Sequence, residues 1–242
     1  MEIVAIVPAA GRGQRLAPYP LPKELFPIGY QEVKIDGKLH KRPKVVSQYL
    51  LEALAAVPIT RLFFVIGSGK LDIIEYYRNG ENYGFPIAYI YQTEPKGMPY
   101  ALDLVTPYLK GNEIVLMGMP DTIFEPRTAF IQLVEAHQVW CSDLTLGLFK
   151  TDHPQKFGMV GLDKQNNIIE IEDKPSISRL KWMWGIVCWG PRFTSLLHEV
   201  LETQGEDISN LKGREVVLSD IIDIALCNKL QVKGLTFEGG RY

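Results

Sequence analysis

Apolar runs, helical stripes and turn residues alternate in a regular order over positions 1–140. Residues 3–7 are apolar throughout, as a parallel strand covered on both faces requires, and Pro8 is expected to end the run. The prolines between 18 and 27 forbid a regular helix, because each removes a donor and clashes backward, so this stretch reads as an extended segment. Val33 and Ile35 alternate with polar neighbours before Asp36-Gly37, which predicts a hairpin over 32–39. Helices are then expected at 45–57, 70–77, 100–109 and 127–139, and buried strands at 62–66, 87–91 and 113–117. That order predicts a mostly parallel sheet with helices on both faces, and ligands gathered outside the carboxyl ends of its strands. Beyond Ser142 the pattern changes. Strands at 143–149 and 183–189, and a hairpin of 159–162 with 168–171, follow without crossover helices. Helices at 193–202 and 218–230 and a strand at 232–237 complete the chain. The expectation is an α/β protein whose mixed central sheet carries a small antiparallel extension.

Composition narrows the class. Of the 242 residues 46% are hydrophobic and 22% charged, which suits a globular chain able to bury a core. The net charge of -2 and the lack of a basic stripe argue against a nucleic-acid partner. The one dense basic segment, Lys38-Leu39-His40-Lys41-Arg42-Pro43-Lys44, reads as a solvated turn or a phosphate-facing loop. Cys141, Cys188 and Cys227 lack metal-ligand spacing and sit among apolar residues, so three buried thiols in a reducing cytoplasm are expected. The first residues lack the regions of a signal peptide, and no apolar run approaches the roughly 18 residues of a membrane span. His40, His137, His153 and His198 follow no ligand pattern.

The chemistry concentrates after the first strand, in Ala9-Ala10-Gly11-Arg12-Gly13-Gln14-Arg15. Small Ala9 and Ala10 permit close approach, Gly11 and Gly13 permit turns a side chain would forbid, and successive N–H groups make a nest for phosphate oxygens. Arg15, and with it Arg12, adds a planar cationic fork. The spacing fits neither the Walker loop nor the three-glycine dinucleotide fingerprint, so a structural strand–helix turn stays open. Lys23, pinned between prolines, is a second candidate cation for a phosphoryl group or a surface lysine. Gln92 and Gly97 follow the 87–91 strand, where an amide can read a base edge and a glycine admits a flat ring, or where both simply open a helix. Asp121 closes the 113–117 strand and is either a holder of a hard cation or a turn cap. Trp182 and Trp184 share one face and either pack the core or line a pocket. Asp220 reads as the cap of the 218–230 helix.

Ala9-Ala10-Gly11-x-Gly13-x-Arg15-Leu16, followed by Pro22-Lys23-Glu24-Leu25-x-Pro27, resembles the signature of sugar-1-phosphate nucleotidyltransferases, over nearly the whole chain. The Pro-Lys-Glu form is nearer the UDP-glucose pyrophosphorylase branch than the thymidylyl branch. The resemblance implies a Rossmann-like three-layer nucleotidyltransferase fold in a single domain, 1–242, with a nucleotide-binding half (1–140) and a sugar-phosphate-binding half (141–242). It implies that Arg15, Lys23 and Asp121 are catalytic, with Asp121 also holding Mg2+. Ala9, Ala10, Gly11, Arg12, Gly13, Gln92 and Gly97 would bind nucleotide. Gly158, Asp173, Lys174 and Gly185 would bind the sugar phosphate. Three departures stand out. The segment from Arg15 to Lys23 is shorter than usual, Pro99-Tyr100-Ala101 replaces the usual end of the base segment, and Asp173 replaces a glutamate. The family's second metal-binding aspartate, which would follow Tyr242, is absent from the sequence, and truncation, a different way of binding metal or lost activity are the readings, truncation favoured.

The implied reaction joins a nucleoside triphosphate, UTP or dTTP, to a sugar 1-phosphate, glucose 1-phosphate first, with release of pyrophosphate. A charged phosphate oxygen is already a nucleophile, so positioning and charge neutralisation are the main demands. The expected partners are these two substrates, with no nucleic acid and no membrane, and homo-oligomerisation is left open. A cytidylyl- or guanylyltransferase acting on another phosphate, or a nucleotide-sugar-binding regulatory module without turnover, are the alternatives.

Overall fold

A computed structural model of the chain describes residues 2–13, 16 and 18–242. The first strand, β1 (Ile3–Ala9), is buried at every position. A two-stranded ribbon follows, β2 (Pro27–Ile35) paired antiparallel with β3 (Lys38–Val45). Then come α1 (Val46–Ala55), β4 (Arg61–Ile66), α2 (Leu71–Tyr77), β5 (Ile87–Tyr91), α3 (Met98–Asp103), β6 (Ile114–Gly118) and α4 (Ala129–Trp140). The second half contains β7 (Leu144–Lys150), β8 (Gly158–Leu162), β9 (Ile168–Asp173), β10 (Trp182–Trp189), α5 (Pro191–Lys212), α6 (Leu218–Cys227) and β11 (Val232–Thr236).

The main sheet runs β11-β7-β10-β6-β1-β4-β5, with β8 and β9 attached through β10. β6, β1, β4 and β5 are mutually parallel, whereas β10 runs against β6, β7 and β8. Alternation along the buried strands sends side chains to both faces: Ile3, Ala5, Val7 and Ala9 join one core, Val4 and Ile6 the other. Leu50, Ile73 and Phe130 of α1, α2 and α4 cover the first face. Leu102, Leu197 and Ile221 of α3, α5 and α6 cover the second. The three-layer α/β fold with a mixed sheet is thus the expected one.

Several local expectations need correction. β1 continues through Pro8 to Ala9, because β6 pairs with β1 only as far as Ile6, and proline is tolerated where one side of a strand has no ladder to serve. The basic segment 38–44 is strand β3, not a loop: the hairpin extends well past 32–39. Only Cys188 is buried. Cys141 sits exposed in the left-handed position that ends α4, and Cys227 lies exposed in the last turn of α6. α5 runs on to Lys212 and stops at Gly213, whose positive φ suits a helix end. Asp220 is not itself the N-cap. It sits in the first turn, and its carboxylate accepts from the Val217 N–H at 3.0 Å.

Candidate active site

The carboxyl ends of β1, β4, β5 and β6 lie on one edge, since these strands are parallel neighbours. The chain moves from β1 to β4 and β5 on one side and returns with β6 on the other, so the loops after β1 and β6 flank a topological switch point. There a cavity of about 840 Å³ opens. Gly11, Arg12, Gly13 and Lys23 line one wall, with Leu16 beside them, and Asp121, Pro95 and Glu215 complete it. Five residues singled out in the sequence therefore meet in one cavity.

Each wall has a local cause. Gly13 has φ 64, a turn closed to most side chains, and a Cβ there would have only the Lys23 methylenes near it, at 3.9 Å. Lys23 opens a single 3-10 turn ending at Leu25, fixed by hydrogen bonds from Leu25 N–H to Pro22 O at 2.9 Å and from Phe26 N–H to Lys23 O at 3.1 Å. From that turn the Lys23 ammonium donates to Asp121 Oδ2 at 2.6 Å, across the cavity. Both side chains keep some exposure, 22% and 28%, so the pair contributes little to stability, and its consequence is placement of a cation at the cavity wall. Arg12 is exposed on the same wall. Ala9 packs in the core, while Ala10 lies so near the β4–α2 turn that a Cβ on Gly67 would stand 2.8 Å from its carbonyl oxygen. Arg15 lies outside the described residues.

Gln92 is buried at the end of β5, with its N–H donating to Ile66 O at 2.8 Å. Gly97, at φ 109, starts α3, and a Cβ there would come 2.5 Å from Val216 O. The segment from Gln92 to Gly97 is therefore docked on the α5–α6 loop, the same loop that sends Glu215 into the cavity.

The residues assigned to the sugar phosphate form a second group. Gly158 and Asp173 are register partners on β8 and β9. Lys174 follows at φ 47, unusual for a residue with a side chain, with its N–H held by Phe157 O at 3.0 Å. Asp173 joins the charges that raise the Arg214 pKa, after the hydrogen bond from that guanidinium to Asp220 and against the opposing effect of burial. Arg214 of the α5–α6 loop thus feels the Asp173 charge. Gly185 marks a register shift in β10, and Tyr242 lies flat on it, with its hydroxyl donating to Gly185 O at 3.1 Å. Burial raises the Tyr242 pKa, opposed by a hydrogen bond with Thr122 and reinforced by the Asp121 charge, so the ring bridges β10 and the Asp121 loop. Trp184 covers Gly158, and its buried indole N–H has no acceptor among the described residues.

Sequence reasoning missed Glu215, and it left Trp184 between packing and pocket. Glu215 carries no local signal: it matters only because α5 ends at Gly213 and turns the chain back over Gly97. Asp220 proves to be an anchor for that loop. Burial opposes its charge, but hydrogen bonds from Arg214, Lys212 and the Val217 N–H outweigh this and hold its pKa below the usual carboxylate range.

The donor set suits a hard divalent cation held by one carboxylate, water and ligand phosphates. Asp121 offers its carboxylate at the cavity wall, and no group of three or more His, Cys, Asp or Glu side chains able to cage a metal occurs among the described residues.

A cavity at the switch point lined by the glycine loop, one lysine and one aspartate facing each other there, and a separate Asp173–Lys174 segment make up an α/β site of the kind that gathers ligands at strand ends. The chain belongs to the nucleotidyl transferase family, whose match covers residues 4–239. It is similar to the bifunctional protein GlmU of Methanococcus aeolicus, 25% identical over 237 residues, which is 97% of this chain and 49% of that protein. It is also similar to the low-salt glycan biosynthesis nucleotidyltransferase Agl11 of Haloferax volcanii, 27% identical over 69% of this chain and 43% of that one. The chain thus spans about half the length, or less, of these curated relatives. Among solved structures, a candidate glucose-1-phosphate thymidylyltransferase from Bacillus anthracis, in complex with sucrose, superposes with a TM-score of 0.80 at 20% identity, over 97% of this chain and 87% of that one. The inositol-1-phosphate CTP transferase from T. maritima gives 0.70 at 20% identity, over 96% and 84%.

Proposed function

We propose that this chain transfers a nucleoside monophosphate from a triphosphate, UTP or dTTP, to a sugar 1-phosphate, with glucose 1-phosphate the first choice. The observation that carries this reading is the cavity at the β1/β6 switch point, where Gly11, Gly13, Arg12 and Lys23 face Asp121. In the reaction an oxygen of the sugar 1-phosphate attacks the α-phosphorus in line, the bond to the β-phosphate oxygen breaks, and pyrophosphate leaves. The backbone N–H groups of the glycine loop cradle the triphosphate, and Arg12 and Arg15 neutralise its charge. Lys23, already held at the wall by Asp121, meets the phosphoryl group being transferred. Asp121 would hold Mg2+, which lowers the repulsion between the two phosphates.

Gln92 and Gly97 present the base to one side of the cavity. Asp173, in register with Gly158, and Lys174 orient sugar hydroxyls and the sugar phosphate on the other. The family match and the curated relatives support the transferase class. The base and sugar rest on the sequence motifs alone.

Pyrophosphate release from a panel of UTP, dTTP, CTP and GTP, each with glucose 1-phosphate and with other sugar and alcohol phosphates, tests the reading. Release with UTP or dTTP and glucose 1-phosphate is expected. Release only with CTP or GTP would move the chain to the cytidylyl or guanylyl class. Nucleotide binding without release from any pair would favour a regulatory module.

A further inference from the structure

Lys23 owes its place to more than its own salt bridge. The next residue, Glu24, points the opposite way, into the protein, with 1% of its side chain exposed. Lys70, at 5%, donates to its Oε2 at 2.6 Å. Ser47 of α1 donates to the Glu24 carbonyl oxygen at 2.6 Å and contacts the Tyr77 hydroxyl at 2.5 Å. Lys70 closes the short turn after β4, and Gly67 of that turn packs against Ala10 closely enough that a Cβ would meet its carbonyl oxygen at 2.8 Å. One turn therefore touches both walls of the cavity: the glycine loop through Gly67, and the Lys23 segment through Lys70 and Glu24.

As a source of stability the pair is poorly built. Two charges are removed from water, and the second carboxylate oxygen, Glu24 Oε1, is buried with no hydrogen-bond partner among the described residues. A buried ion pair with a bare oxygen recovers little of its desolvation cost, and well-packed apolar side chains would serve stability as well. The pair does have direction and fixed length, which apolar packing lacks.

We propose that Glu24 and Lys70 form a positioning pair that sets Lys23 over the glycine loop. Neither is a catalytic residue: both act through Lys23, and this rests on Lys23 being the phosphate-facing cation of the reaction proposed above. The test is a Glu24→Gln/Lys70→Met double variant, which removes both charges and nearly keeps the volume. Two quantities are measured. The first is the rate at which limiting acetic anhydride labels Lys23, read by mass spectrometry against exposed Lys110 as the internal standard. It needs no turnover. The second is kcat and KM with the substrate pair that releases pyrophosphate.

The expected result is a folded protein whose Lys23 is labelled about fivefold faster, with kcat down about tenfold and KM for the sugar phosphate within twofold. Lys70→Arg, which keeps the cation, should retain near-native labelling and kcat. If the double variant does not fold, Glu24→Leu/Lys70→Met, an apolar pair of similar volume, carries the same test. Unchanged Lys23 labelling in a folded variant, or unchanged kcat, overturns the inference. A wild-type protein that turns over no substrate pair would instead sink the proposed function, while the labelling still decides whether the pair positions Lys23.

Discussion

The two groups of glycines in this protein serve opposite ends. In the loop after β1 a Cβ added to Gly11 would meet nothing within 4 Å, and one added to Gly13 only the flexible Lys23 methylenes. On β8 and β10 a Cβ on Gly158 would run into the Trp184 indole, and one on Gly185 into the Tyr242 ring. Both sets are expected ligand-binding positions, the first for its turns and the second beside the sugar phosphate. The first keeps backbone bare beside a cavity. The second lets aromatic side chains of the same chain lie directly against backbone. The difference teaches that a motif glycine marks close approach without naming what approaches, and only packing decides between ligand and side chain.

The largest effect should follow from the open side. Asp121→Asn removes the carboxylate that faces Lys23, and turnover should fall about a hundredfold or more, with the unfolding midpoint nearly unchanged because a partly exposed pair contributes at most about 1 kcal/mol. Metal-dependent turnover that survives in this variant would remove Asp121 from the site.

A buried histidine away from both glycine groups should make the fold sensitive to acid. His137 of α4 is buried against β7, with Nδ1 at 2.9 Å from Thr145 Oγ1 and 3.2 Å from Ser142 Oγ. Burial pulls its pKa down to about 4, partly offset by the Asp143 charge. The folded state then binds fewer protons than the unfolded one between the two pKa values. Stability is full above the unfolded histidine pKa of about 6.5 and should fall by about 3 kcal/mol on the way to pH 4. His137→Gln should flatten that slope in urea titrations. An unaltered slope would show that another group carries it.

Two glycine substitutions test the comparison itself. Gly158→Ala must displace Trp184 and should cost about 1–3 kcal/mol in unfolding free energy. Gly11→Ala has open space and no positive φ, so its stability should change by less than about 0.5 kcal/mol, while nucleotide affinity drops about tenfold. Equal stability costs at the two positions would erase the distinction between bare and covered glycines.

Most of this architecture was legible in the sequence because its central strands are buried on both faces and therefore read as unbroken apolar runs, as in 62–66 and 114–118. Hairpin turns and helix stops were readable where a special backbone geometry leaves a residue signature, as at Asp36-Gly37. The length of the β2–β3 ribbon was not, because its strands are largely exposed and polar and carry no burial pattern. That Lys23 and Asp121 share one site was expected from the family resemblance, but their direct ion pair was not legible. Glu215, the Glu24–Lys70 pair and the Tyr242 cover did not, because each joins segments far apart in the chain and leaves no local trace.

The central claim is that the triphosphate binds at the bare glycines and not elsewhere. Hydrogen exchange followed by mass spectrometry, with and without saturating UTP and magnesium, tests it most directly. Slowed exchange is predicted in the peptides covering residues 9–25 and 118–122, with none in the β2–β3 ribbon. Protection confined instead to the smaller cavity of about 290 Å³ between α1 and residues 122–128, with the glycine loop unchanged, would contradict it.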